Sequence, residues 1–101
     1  MLMDEVAVFK ALSNKTRLQI LKWLKQPEKY FPEQDRDIQE FGVCVGVIQK
    51  KVNLTQSTVS EYLSLLQRTG LIVSTRVGQW TYYKRNEDAF SKFKELIDDE
   101  L

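Results

Sequence analysis

Apolar residues recur at intervals of three and four along much of the chain, which is the spacing of amphipathic helices. The clearest example is LTQSTVSEYLSLL (54–66), whose apolar side consists of Val59, Tyr62, Leu63 and Leu66. Thr55 can cap this helix, because a threonine hydroxyl accepts hydrogen bonds from the first free N–H groups. The pattern predicts five helices, at 4–12, 15–26, 43–52 and 56–69, with a final one capped by Asn86.

Two segments between the fourth and fifth helices follow a different pattern. LIVSTRV (71–77) and WTYYKR (80–85) are rich in β-branched and aromatic residues, and they flank Gly78-Gln79. Such residues favour strands, and a glycine-containing pair between two such runs favours a tight turn. We therefore expect an antiparallel β-hairpin here.

The segment 26–41 shows no clear periodicity. It contains two prolines and seven charged residues, a composition typical of surface connections. Pro27 is expected to end the second helix, because proline disrupts helix interiors. We interpret the rest of the segment as a long surface loop.

The order of these elements defines the expected fold. Two helices joined by a turn of about three residues, followed directly by a hairpin, form a winged helix-turn-helix. The prediction is a mainly α protein of about five helices with a small antiparallel β-hairpin as its wing. Because 101 residues suit one domain, residues 1–101 are interpreted as a single DNA-binding domain.

Composition excludes several classes of function. The chain has no histidine, and it has no recognisable nucleophile–base pair or phosphate-binding glycine loop, so an enzyme is not expected. The single cysteine, Cys44, agrees with a reducing compartment. No run approaches the roughly 18 apolar residues of a membrane span, and the start MLMDEV is unlike a signal peptide. A cytoplasmic protein without a membrane partner is the simplest interpretation.

Charge is unevenly distributed although the net charge is only +1. Residues 10–25 and 42–86 each carry +5, whereas residues 1–9, 26–41 and 87–101 carry −2, −3 and −4. Basic charge is thus concentrated around the predicted helix-turn-helix and wing, which suits a polyanionic partner.

The start of the fourth helix carries an uncharged polar face. The residues that lie off the apolar side here are Gln56, Ser57, Thr58 and Ser60. A recognition helix presents such side chains to base edges in the major groove. Local capping is the alternative explanation, but the cap at Thr55 does not require four more polar residues. We therefore predict that this face reads DNA sequence.

Basic residues near this helix are candidates for phosphate contacts. Lys50 and Lys51 precede the turn, and Arg76, Lys84 and Arg85 are expected to flank the hairpin tip. The predicted DNA-binding residues are Lys50, Lys51, Thr55, Gln56, Ser57, Thr58, Ser60, Glu61, Ser64, Arg76, Gln79 and Lys84. The alternative is a winged-helix module that binds protein rather than DNA, for which a hydrophobic or acidic face would be expected.

Two segments resemble the ArsR/SmtB family of transcriptional regulators: FKALSNKTRLQILKWL (9–24) and VCVGVIQKKVNLTQSTVSEYLSLLQRTGLIVSTRVGQWTYY (43–83). The resemblance implies a homodimer, usually a repressor, that binds an imperfect palindrome near its own promoter and releases it on an inducing signal. The first and last helices form the dimer in that family. The corresponding apolar positions are Val6, Phe9, Phe90, Phe93, Ile97 and Leu101. Packing of this stripe on the chain's own core is the alternative.

The sequence departs from the metal-sensing members of that family. Many of them carry Cys-Val-Cys-Asp at the start of the third helix, where this chain has Cys44, Val45, Gly46 and Val47. A second family site on the last helix uses histidine, which is absent here. Acidic oxygen ligands alone favour hard, weakly held cations, so no metal or other cofactor is expected. The remaining candidates for the signal are oxidation of Cys44, a small organic ligand near Trp23, Tyr30 and Phe31, or no ligand.

Overall fold

The computed structural model describes residues 4–34 and 36–101. In chain order the elements are α1 (Glu5–Leu12), α2 (Lys15–Lys25), α3 (Pro27–Tyr30), α4 (Ile38–Phe41), β1 (Val43–Cys44), α5 (Val45–Val52), α6 (Gln56–Arg68), β2 (Ile72–Val77), β3 (Trp80–Arg85) and α7 (Glu87–Glu100). The helix-turn-helix is formed by α5 and α6, and the β2–β3 hairpin follows it as the wing. The predicted winged-helix order is confirmed.

Local capping signals place the ends of most helices. The side-chain oxygens of Asp4, Asn14, Thr55 and Asn86 each accept the backbone N–H three residues further on. Asn53 ends α5 in the left-handed conformation, with φ 59° and ψ 42°. The predicted bounds of α1, α2 and α6 therefore agree with the structure to within one residue.

The predicted start of the third helix at Val43 is wrong. Val43 and Cys44 form β1, which pairs antiparallel with β3 so that Val43 lies opposite Tyr83. Gly42 adopts φ 92° and turns the chain onto the sheet, and the β-branched Val43 suits an extended backbone. The helix begins at Val45, and the sheet has three strands in the order β1-β3-β2 rather than two.

The interpretation of 26–41 as a loop is also wrong. Pro27 occupies the first position of α3, where its missing N–H costs nothing. The Asp37 carboxylate accepts the backbone N–H groups of Gln39 and Glu40 and caps α4. Between the two short helices, Phe31 is fully buried and packs edge-on against Trp23 at 6.2 Å between ring centroids. Residues 26–34 and 36–41, called the insertion below, are therefore packed onto the core through Phe31, Tyr30 and Ile38.

One apolar core joins the helix-turn-helix to the remaining helices. Its members include Val8, Ala11, Ile20, Leu21, Leu24, Ile48, Val59, Leu63, Leu66, Leu71 and Ile72. Because α1, α2, α5, α6 and the start of β2 all contribute, the orientation of α6 is fixed from several sides. Within the described residues, none of the helices combines the length and apolar character that crossing a bilayer requires.

Gly42→Ala tests the close approach of the α4 end to β3. The backbone has φ 92°, and a Cβ there would overlap the carbonyl oxygen of Tyr83. We expect the free energy of unfolding to fall by about 3 kcal/mol, since strain and overpacking add. Chemical denaturation followed by circular dichroism measures this change.

Gly46→Ala is the matched control, because a Cβ at Gly46 meets open space in the first turn of α5. Alanine favours helices, so this variant should be as stable as the parent or more stable by up to about 1 kcal/mol. Equal stability of the two variants would contradict the steric argument.

Candidate nucleic-acid interface

Helix α6 begins at a polar cap and buries one side. The Oγ1 of Thr55 accepts the backbone N–H of Thr58 at 3.3 Å and donates to the Thr58 Oγ1 at 2.8 Å. On the opposite side, Val59, Leu63 and Leu66 are buried in the core. Two of the predicted DNA-binding residues, Thr55 and Thr58, are therefore engaged with each other at the start of the helix.

The other predicted residues of α6 form one exposed face. They are Gln56, Ser57, Ser60, Glu61 and Ser64, all exposed. At 100° per residue these positions fall within a sector of about 140°, with Glu61 at its margin. The centre of the face therefore carries uncharged donors and acceptors.

Arg68 continues this face at the C-terminal end of α6 and was missed by the sequence analysis. It is exposed, and it lies within the same sector when the helical spacing is extended by one turn. That spacing is visible in the sequence, so helical periodicity alone would have been enough to identify Arg68 as part of this face.

The wing tip carries a cation, Arg76, whose side chain is hydrogen-bonded to the turn. Val77 pairs with Trp80 across the two-residue turn Gly78-Gln79, as predicted. Arg76 and Gln79 are exposed, and the Arg76 Nε donates to the carbonyl oxygen of Gly78 at 3.2 Å. The guanidinium is thus held at the tip, where an arginine reaches a DNA backbone or minor groove.

Trp80 connects the wing to the recognition helix and is a second residue that the sequence analysis missed. The residue is 49% exposed although it belongs to a strand. With Gln56, Val59 and Ser60 of α6 it lines a cleft of about 140 Å³. The sequence indicated only a strand-forming aromatic, because the position of its ring depends on how the hairpin packs against α6.

Lys84 and Arg85 do not flank the wing tip, contrary to prediction. They lie at the far end of β3, where Lys84 pairs with Val73 of β2. The Lys84 ammonium donates to the carbonyl oxygens of Gln39 and Glu40, at 3.2 and 3.1 Å, and so binds the end of α4. The Arg85 guanidinium pairs with Glu87 at 3.0 Å and lies 3.7 Å above the Phe90 ring.

The two lysines before the turn differ in their surroundings. Lys50 is exposed at the end of α5. The Lys51 ammonium lies over three aromatic rings, 5.1 Å from the centroid of Trp23, 5.7 Å from Tyr30 and 5.8 Å from Phe31. Cation–π attraction of this kind holds the side chain against the insertion. Of this pair, Lys50 is therefore better placed for a phosphate contact.

The predicted dimer residues lie on α1, on α7 and at Leu101 directly after α7, and the two helices meet through an aromatic pair. Phe9 meets Phe93 edge-on at 5.2 Å between ring centroids. Phe93 is buried within the protomer, and Phe90 is half-buried. The remaining four predicted residues are exposed, namely Val6, Phe9, Ile97 and Leu101. The two helices thus present an apolar surface to solvent.

Cys44 is half-buried at the junction of the insertion, β1 and α5. Its backbone N–H donates to the Gln34 side-chain oxygen at 3.1 Å. Tyr83 of β3, which lies opposite Val43, has a raised pKa because burial disfavours the phenolate, so its hydroxyl stays neutral. Within 4–34 and 36–101, no group of three or more His, Cys, Asp or Glu residues is arranged to hold a metal ion.

Proteins of similar sequence indicate the class to which this chain belongs. The chain is 49% identical over 100 residues to the HTH-type transcriptional regulator YbzH of Bacillus subtilis, covering 98% of this chain and all of that protein. It is 30% identical over 79 residues to the transcriptional repressor SdpR of Bacillus subtilis, covering 78% and 72% of the two chains. No family model matches the chain.

A solved structure shows the same fold. The homodimeric winged helix-turn-helix domain Mb0332 of Mycobacterium bovis, a possible ArsR-family regulator, is 29% identical with a TM-score of 0.64. The match covers 94% of this chain and 79% of that domain. This protein belongs to the ArsR family of winged helix-turn-helix transcriptional regulators, which bind DNA and are not enzymes.

Replacing Ser57 and Ser60 together with alanine tests sequence reading by the exposed face of α6. Each lost base contact should weaken binding to specific DNA by roughly 1–3 kcal/mol and leave non-specific binding nearly unchanged. Fluorescence anisotropy on specific and scrambled DNA measures both. Ser91→Ala on α7 is the control. An equal loss on both DNAs would show that these serines do not read sequence.

Arg76→Ala tests the phosphate contact of the wing. Binding to every DNA sequence should weaken, and the slope of log K against log salt should become shallower by about one. Lys92→Ala removes the same charge from an exposed position of α7 that lies about 140° from Ile97, and it should leave the slope unchanged. Identical slopes for Arg76→Ala and the parent would exclude a phosphate contact at the wing tip.

Proposed function

We propose that the chain is a single-domain, homodimeric repressor that binds an imperfect palindrome in its own promoter region. The observation that carries this proposal is the exposed uncharged face of α6, with Gln56 and Ser60 beside Trp80 and the wing. Such a face suits base edges, because amide and hydroxyl groups hydrogen-bond to bases without adding charge. A cytoplasmic location is part of this proposal.

The dimer is supported by the exposed apolar surface of α1 and α7. Ile97 follows Phe93 along α7 and is 42% exposed, and Leu101, directly after α7, is 77% exposed. Covering this surface with a second copy removes apolar area from water. A two-fold dimer would place two α6 helices about one DNA turn apart, which is the reason for expecting a palindromic site.

A signal other than a metal is supported by the residues around Cys44. Cys44 is followed by Val45, Gly46 and Val47, so the neighbouring positions offer no second thiolate or carboxylate. Soft metals require several nitrogen or sulfur ligands. Chelators should therefore leave DNA binding unchanged, and zinc or arsenite should not release the DNA.

The first test is fluorescence anisotropy of the whole chain on DNA from upstream of its own gene, against scrambled DNA, over a salt series. Selective binding with a dissociation constant of about 10⁻⁸ M or below at physiological salt is expected. Weak and equal binding to both DNAs, together with failure to select any site from a random library, would refute the proposal.

Ile97→Glu tests the dimer in the same assay. A charge buried in an apolar interface has no partner, so this variant should be monomeric in analytical ultracentrifugation and should lose selective binding. Ser91→Glu adds the same charge at an exposed position of α7 that lies about 120° from Ile97. That control should remain dimeric. A dimeric Ile97→Glu protein would place the interface elsewhere.

A further inference from the structure

Arg17 joins the end of α1 to the start of α2. Its Nε donates to the carbonyl oxygen of Ala11 at 2.8 Å, and its Nη2 donates to that of Lys10 at 3.1 Å. These carbonyls belong to the last turn of α1, where helical N–H partners run out, and that of Lys10 also accepts the backbone N–H of Ser13. The guanidinium therefore acts as a C-terminal cap supplied from the next helix.

The same guanidinium contacts the recognition helix. Its central carbon lies 5.3 Å from the ring centroid of Tyr62, a half-buried residue of α6. Asn14, which caps α2 by accepting the Arg17 backbone N–H at 2.9 Å, approaches the Tyr62 hydroxyl with its side-chain amide at 3.5 Å. The Arg17 side chain thus contacts both α1 and α6.

We propose that Arg17 is a positioning residue that links the dimer helix α1 to the recognition helix α6 through Tyr62. This inference rests on the proposed function, in which α1 contributes Val6 and Phe9 to the dimer surface. A palindrome requires two α6 helices at a fixed separation. Any contact that fixes α6 relative to α1 therefore contributes to selective binding.

The chemistry of the link calls for arginine. A planar guanidinium donates to two carbonyls from its edge while its face lies over an aromatic ring. A lysine ammonium is a single point of charge without a planar face to lie over the ring. Arg17→Lys consequently keeps the charge and breaks the geometry.

A direct phosphate contact by Arg17 is the competing explanation. Arg17 borders an open groove that it shares with Ser60, Ser64 and Arg68 beside the recognition helix. A phosphate contact depends chiefly on charge, and its loss changes the salt slope. A positioning contact depends on geometry, and its loss changes selectivity at an unchanged slope.

The test compares Arg17→Lys, Tyr62→Leu and Tyr62→Phe with the parent on operator and scrambled DNA across a salt series. Arg17→Lys and Tyr62→Leu should each reduce the operator-to-scrambled ratio about tenfold with the slope unchanged, and the double variant should lose no more than either alone. Tyr62→Phe keeps the ring and should retain most of the ratio. Lys22→Gln removes an exposed charge from α2 and serves as the charge control.

Two results of this binding assay would overturn the proposal. If Arg17→Lys binds like the parent and Arg17→Gln alone lowers the slope, Arg17 contacts phosphate directly. If the variants lower the unfolding temperature but leave the ratio unchanged, the contact serves folding only.

Hydrogen exchange of the free protein measures the coupling between Arg17 and Tyr62 in the absence of DNA. It therefore separates this proposal from the repressor proposal. Tyr62→Leu should speed amide exchange in the last turn of α1, and Arg17→Lys should speed it in α6. This reciprocal effect supports the link even if the parent shows no selective DNA binding. Exchange that changes only next to the substituted residue would overturn the link.

Discussion

Burial of Val59, Leu63 and Leu66 is the constraint on which the exposed polar face of α6 depends. These side chains fix the rotation of α6 about its axis, since a rotation by one residue would expose them and bury Gln56 or Ser60 without partners. An unpartnered buried polar group costs about 1–3 kcal/mol. The polar face therefore points outward because the apolar side is anchored, and its composition is free to serve binding.

Most of the local structure was predictable from the sequence because its signals are local. The caps at Asn14, Thr55 and Asn86 and the turn at Gly78-Gln79 are set by side chains within a few residues of the backbone they bind. The exposed face of α6 follows from helical spacing alone. These features need no knowledge of how distant segments pack.

The wrong or missed features depend on distant partners. β1 forms because Val43 pairs with Tyr83, forty residues later in the chain. The insertion is ordered because Phe31 is buried in the core. Lys84 appears in the sequence as a surface cation, yet its ammonium binds carbonyls of α4. Lys51 likewise lies over rings from two other elements. A count of charges along the sequence cannot distinguish lysines that bind groups within the protein from lysines that are free to contact DNA phosphates.

The uncharged face of α6 has a consequence for behaviour under changing ionic conditions. Salt weakens protein–DNA complexes in proportion to the number of phosphates neutralised, and this loss falls on preferred and random sites alike. The hydrogen bonds to bases that we propose for Gln56, Ser57 and Ser60 would release no counterions. Osmotic stress that raises the ionic strength inside a cell would therefore lower promoter occupancy while leaving the ranking of sites along a genome intact.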